Sequence, residues 1–124
     1  MKIVEGLFYS NDHEWIKVEG KIATVGITDF AQSQLGEIVF VELPDLDDEF
    51  GANDPIGAIE SVKAASDVLT PVSGKIVEVN ENLEDAPESV NEDPFNAWIF
   101  KVELSNESEL ESLMNATAYK EFTA

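Results

Sequence analysis

Short runs of β-branched and aromatic residues with two-residue alternation recur through the first hundred positions, each closed off by Gly, Pro, Asn or Asp. A period of two places alternate side chains on opposite faces of a strand, so this pattern specifies a mainly β fold. Candidate strands are Trp15 to Glu19, Lys21 to Ile27, Glu37 to Leu43, Pro55 to Val62, Asp67 to Pro71, Lys75 to Asn80 and Ala97 to Leu104. Trp15, Phe40, Trp98 and Phe100 fall within these runs and are expected to pack in the core rather than to form a docking patch.

Helical spacing appears in two places. Thr28 is an N-cap candidate, Ala31 and Leu35 lie four apart, and Gly36 is a stop signal, which predicts a short helix between the second and third strands. Near the C-terminus, Asn106-Glu107-Ser108-Glu109 has the form of a capping box, followed by Leu110, Leu113 and Met114 at helical spacing, with helix continuing or restarting from Ala116 to Phe122. A weaker feature is an echo of Gly20-Lys21-Ile22-Ala23-Thr24-Val25 in Gly74-Lys75-Ile76-Val77-Glu78-Val79, and of Phe40-Val41-Glu42-Leu43 in Lys101-Val102-Glu103-Leu104. It is compatible with two β halves related by an approximate two-fold axis or with chance similarity between short strands.

The chain has 124 residues, enough for one compact domain spanning 1–124 with a β core at about 15–104. Its net charge of −19, from 26 carboxylates against seven lysines, disfavours nucleic-acid phosphate and anionic membranes as partners. Such a field favours basic docking faces, and it also serves solubility. With no cysteine the chain makes no disulfide or thiolate metal site, so any redox sulfur must be imported. The N-terminus lacks the apolar stretch of a signal peptide, and no run approaches the ~20 apolar residues of a membrane span, so a cytoplasmic location is expected. Pro44 to Asp54 and Glu81 to Pro94 read as solvated acidic loops. The first superficially resembles a calcium loop. An EF-hand beginning at Asp45 would need Gly at position 50 and Glu at position 56, where the chain has Phe50 and Ile56.

The segment from Ile59 to Val68 sets Lys63 among small and β-forming residues, with Glu60 and Asp67 on either side. By composition alone Lys63 is one of seven surface lysines. Its context is more specific. Glu60-Ser61-Val62-Lys63-Ala64-Ala65-Ser66-Asp67 resembles the lipoylation site of the glycine cleavage system H-protein family, and further blocks match in order. These are Tyr9 with His13-Glu14-Trp15; Val25-Gly26-Ile27-Thr28-Asp29 with Ala31-Gln32 and Leu35-Gly36; and Val39-Phe40-Val41-Glu42-Leu43-Pro44. Pro71-Val72-Ser73-Gly74, Val79-Asn80, Asn91, Pro94, Trp98 and Glu109-Leu110-Glu111-Ser112-Leu113-Met114 extend the resemblance over essentially the whole chain.

This resemblance implies a lipoyl/biotinyl-like barrel-sandwich hybrid with short helices, including a C-terminal helical segment. It implies a non-catalytic carrier bearing lipoate as an amide on Lys63 at a hairpin tip. The carrier would take the aminomethyl group of glycine from a pyridoxal-phosphate glycine decarboxylase to a tetrahydrofolate-dependent aminomethyltransferase, and present the reduced arm to a flavin dihydrolipoyl dehydrogenase. The hard chemistry would then belong to cofactors. Glu60 and Gly74 match positions read by the lipoate-attaching enzyme. Glu14, with Asp67 assisting, matches the cleft that shelters the loaded arm, and a carboxylate suits an ammonium. His13 is taken as support for the fold. Some family members have histidine at the positions of Phe30 and Gln34, and serine at that of Asp12, so Gln34 could bond the arm only through an uncharged amide. The carrier is expected to act as a monomer.

Alternatives remain at this level. A lipoyl domain of a 2-oxoacid dehydrogenase would normally carry Asp where this chain has Val62, and a biotin carrier would have Met at Val62 and Ala64. An H-like protein could instead donate lipoate to other proteins. A small hydrolase using paired carboxylates is a different class, but the sequence offers no specific pair.

Overall fold

The computed structural model describes all 124 residues. A six-stranded antiparallel sheet and a three-stranded one enclose the core. The larger contains β1 (Phe8–Tyr9), β2 (Glu14–Glu19), β3 (Ile22–Ile27), β5 (Glu49–Phe50), β8 (Gly74–Val79) and β9 (Phe100–Leu104) in the order β1-β2-β3-β9-β8-β5. The smaller has β6 (Pro55–Ser61) between β4 (Ile38–Glu42) and β7 (Ala65–Leu69). Helices α1 (Asp29–Leu35), α2 (Asn82–Asp85), α3 (Ser89–Glu92) and α4 (Ala116–Phe122) are all short. None is long and apolar enough to cross a membrane.

Alternation fills the interior as the strand pattern requires. Ile16, Val25, Ile38, Val41, Ile59, Val68, Ile76, Ile99, Phe100 and Val102 are buried in one cluster fed by both sheets. A smaller cluster of Tyr9, Trp15, Ala116 and Tyr119 joins the N-terminal hairpin to α4. Phe40 departs from its expected core position and is 48% exposed. The pairing of β4 with β6 shifts register between Ile38 and Phe40, so Ile38 and Val41 face inward while Val39 and Phe40 both face out. Trp15 and Phe100 are buried as expected, and Trp98 is half-buried with the Lys101 ammonium 5.0 Å from its ring centre.

Thr28 caps α1 by accepting from the Ala31 N–H at 3.2 Å, and Gly36 ends the helix at φ 82, a left-handed conformation open to glycine. The segment 81–94 differs from the expected loop. It holds α2 and α3, whose Leu83 and Val90 are buried in the main core. Two anchors spaced seven apart are too few to stand out as periodicity among so many acids. Within 44–54, Glu49 and Phe50 pair with Lys75 and Gly74. The expected capping box is also replaced. Residues Glu107–Ser112 form a 3-10 helix, and Glu109 turns away from Asn106 to accept from the Ser73 N–H and hydroxyl, each at 2.7 Å. Helix restarts at α4, capped by Asn115. The echoed segments part company in pairing, since β3 and β8 both flank β9 whereas β4 joins the smaller sheet.

Candidate functional site

Lys63 occupies the tip of the β6–β7 hairpin. The first strand ends at Ser61, one residue short of the expected Val62, and the second begins at Ala65, two residues before the expected Asp67. Ser61 makes that tight turn possible. Its backbone N–H donates to the Ala64 carbonyl at 2.7 Å, and its hydroxyl oxygen accepts from the N–H groups of Ala64 at 3.1 Å and Lys63 at 3.4 Å. The Val62 N–H donates to the Glu37 carbonyl at 3.0 Å, which fastens the tip to the chain entering β4. Local hydroxyl bonding of this kind substitutes for ladder bonds at a turn. Lys63 itself is exposed and in no ion pair, so its amine is accessible.

The lysine stem lies over the end of α1. A Cβ placed on Gly36 would sit 3.4 Å from Lys63 Cε, and α1 leads directly from there into a cleft of 190 Å³. Glu14 from β2, Gln34 from α1 and Asp67 from β7 line this cleft with His13, Ile59 and Val68. Asp67 is the third residue of β7, four positions after Lys63. The three residues expected in one arm cleft therefore share one cavity beside the lysine. Of the larger surface hollows, one shares Asp67, and none includes Glu14 or Gln34.

Glu14 is 3% exposed, which is unusual for a carboxyl. Its Oε1 accepts from the Ser10 hydroxyl at 2.6 Å, while the Ser10 oxygen accepts from the Glu14 N–H at 3.1 Å. Burial pushes its pKa up from 4.5 to about 7; the Ser10 hydrogen bond opposes the rise, the nearby Asp12 charge reinforces it, and a backbone hydrogen bond at Leu69 opposes it. Asp67 and Gln34 are exposed at the rim. A carboxyl raised to about 7 is partly protonated at neutral pH, and a neighbouring cation would draw it to the ionised form.

The two positions expected to guide lipoate attachment are dissimilar. Glu60 is exposed on β6, paired with Ala65 and Phe40, one face of the hairpin that carries Lys63. Gly74 is buried at the start of β8, paired with Leu104 and Phe50. A Cβ there would collide with the Glu103 carbonyl, so close strand approach alone demands glycine.

Sequence reasoning passed over Ser10, Ser61 and the supporting role of Asn91. The Asn91 Oδ1 accepts from the Ile38 N–H at 2.8 Å, and its Nδ2 donates to Gln32 Oε1 at 2.9 Å and the Gly36 carbonyl at 2.8 Å. One side chain thereby fixes the end of α1 beneath Lys63 and the start of β4. Its place among the matched blocks was the available signal.

Residues 7–124 match the family described as glycine cleavage H-protein. The chain belongs to that family. The similarity extends to a glycine cleavage system H protein of Alkaliphilus oremlandii (strain OhILAs), 63% identical over 122 residues, covering 98% of this chain and 96% of the relative. Another, from Thermoanaerobacter pseudethanolicus (strain ATCC 33223 / 39E), is 55% identical over 122 residues, covering 98% and 97%. The crystal structure of a glycine cleavage system H protein from Mycobacterium marinum superposes with a TM-score of 0.88 at 35% identity, with 98% of each chain covered. The two-sheet architecture with its short C-terminal helix is therefore an H-protein fold.

Proposed function

We propose that this H-family protein is the lipoyl carrier of a glycine cleavage system, with lipoate joined to Lys63 and its loaded arm held in the Glu14 cleft. The observation that carries the proposal is the juxtaposition itself: an accessible lysine at a tight hairpin tip, its stem against Gly36 at the end of α1, whose Ala31, Gln34 and Leu35 line a cleft shared with the buried carboxyl of Glu14. Full-length similarity to glycine cleavage H proteins supports the same reading.

The residues suit the group. Lys63 supplies an unpaired amine for the amide, and the small side chains of Ala64 and Ala65 leave the tip open to enzymes. Ile27, Ile59 and Val68 give the cleft apolar walls, which suit an acyl chain. When bound, lipoate supplies the redox dithiolane and the sulfur that carries the aminomethyl unit, which a chain without cysteine cannot supply. This chain's residues position the arm, exclude water and hold charge.

Glu14 does the last of these. An ammonium in the cleft favours the ionised carboxyl, so Glu14 releases its proton near neutral pH and forms a charge-assisted contact in a site shielded from water. Excluding water protects an aminomethyl group against loss of ammonia and formaldehyde. Asp67 adds a second negative charge at the rim, and Gln34 an uncharged amide. The loaded arm would be presented in turn to the glycine decarboxylase, aminomethyltransferase and dihydrolipoyl dehydrogenase, with Glu60 read by the attaching enzyme.

Glu14→Gln tests the cleft. Lipoylation is expected to be unchanged while the loaded carrier loses its aminomethyl group faster than the parent, most clearly above pH 7. Equal decay rates across pH 6 to 8 would contradict the role of Glu14.

A further inference from the structure

The turn from Asp12 to Glu14 forms one wall of the cleft, and its backbone is unusual. His13 adopts φ 68, a left-handed conformation that costs a non-glycine residue roughly 1 kcal/mol or more. Its N–H donates to the Ser10 carbonyl at 3.2 Å and its carbonyl accepts from the Thr28 N–H at 3.0 Å. A third anchor comes from far along the chain. Nδ1 of His13 lies 2.8 Å from the Tyr119 hydroxyl, which lies 2.7 Å from Thr28 Oγ1. Tyr119, on α4, is fully buried and stacked on Tyr9 with ring centres 4.6 Å apart. The imidazole also packs against Phe30 and Phe122, at 4.5 and 5.7 Å between centres.

The proton inventory gives this chain a direction. Thr28 Oγ1 already accepts from the Ala31 N–H, and the acceptor for the Thr28 hydroxyl proton is Tyr119 Oη. Tyr119 must then donate to His13, which requires a bare Nδ1 and places the ring proton on Nε2. The reverse order would strand a hydroxyl proton of the fully buried Thr28.

We propose that Tyr119 is a positioning residue for the arm cleft: by donating to Nδ1 of His13 it fixes the ring's tautomer and orientation, and so holds the turn that sets Glu14 at the cleft. Helix α4 thereby belongs to the site although none of its residues lines the cavity. The proposal rests on the cleft being the shelter of the arm. A neutral imidazole is required, because a protonated ring cannot accept from Tyr119. Burial lowers the His13 pKa and the Asp12 charge raises it; Glu14 and Tyr119 are the other titratable groups at this turn, with Tyr9 stacked behind Tyr119.

Tyr119→Phe removes the oxygen and keeps the ring's packing on Tyr9. In nitrogen-15-labelled lipoylated protein, the parent is expected to show His13 as the neutral Nε2–H tautomer with a depressed pKa. The variant is expected to show mixed tautomers. Its loaded form should decay about two- to tenfold faster at unchanged lipoylation, the span of one hydrogen bond of ordinary strength. A parent ring protonated on Nδ1, or a variant with an unchanged tautomer, would overturn the proposal whether or not the variant folds as stably. Changed ring signals with an unchanged loaded lifetime would overturn its link to the arm. Absence of lipoate on Lys63 would instead overturn the carrier reading, and the ring signals, which need no lipoyl group, keep the two failures apart.

Discussion

Glu14 links the cleft to the stability of the whole chain. The unfolded chain ionises this residue near 4.5, whereas the folded chain keeps the proton to about 7. The folded state therefore binds more protons between those values. Its stabilising contribution is full below 4.5 and is lost as the pH rises through 7, amounting to roughly 3 kcal/mol. Glu14→Gln removes that dependence. Urea denaturation should show the variant gaining roughly 2–3 kcal/mol on the parent between pH 5 and pH 8; a difference that stays constant would mean that Glu14 titrates normally. Gly74 offers a second residue-scale test. Gly74→Ala should cost roughly 1–3 kcal/mol through overpacking against the Glu103 carbonyl, measured by the same denaturation. A variant as stable as its parent would remove the packing explanation for that glycine. The hairpin position of Lys63 and the shared cleft of Glu14, Gln34 and Asp67 were legible in the sequence because matched blocks surround them. Ser10 was not, because a small hydroxyl four residues from an acid acquires meaning only when both are buried.

At the scale of elements, the long alternating strands and α1 with its Thr28 cap were readable from local patterns. The α2–α3 segment was not, since its stability comes from Leu83 and Val90 entering a core built elsewhere. Glu109 was read as a cap because it stands three residues after Asn106, but the competing donors of Ser73 are 36 residues away. Asn91 belongs to the same class, bonding across 53 to 59 positions. Removing its side chain leaves the Ile38 N–H and the Gly36 carbonyl without that partner. Asn91→Ala is expected to destabilise the protein by about 1–3 kcal/mol, with faster amide exchange at Ile38. Unchanged exchange there would show that the α1–α3 junction does not depend on Asn91.

The whole molecule presents the Lys63 hairpin on a strongly acidic body. Val39, Phe40 and Val62 are exposed near the hairpin tip, and Glu37, Glu42 and Glu60 lie among them. A charge of −19 steers encounter with basic faces, and salt screens it with a Debye length of about 10 Å at 0.1 M. Raising ionic strength from 20 to 500 mM should lower the second-order rate of transfer to the aminomethyltransferase several-fold, chiefly through association. A salt-independent rate would leave the acidity with a solubility role. The position of Lys63 is the point on which the account turns, since the role of the cleft, and of Tyr119 in positioning it, presupposes an arm anchored there. Peptide mass analysis after expression with active lipoylation tests it directly. The account predicts one lipoyl amide, on Lys63 and on none of the other lysines, and its complete loss in Lys63→Arg. An unmodified Lys63, or lipoate carried by another lysine, would contradict it.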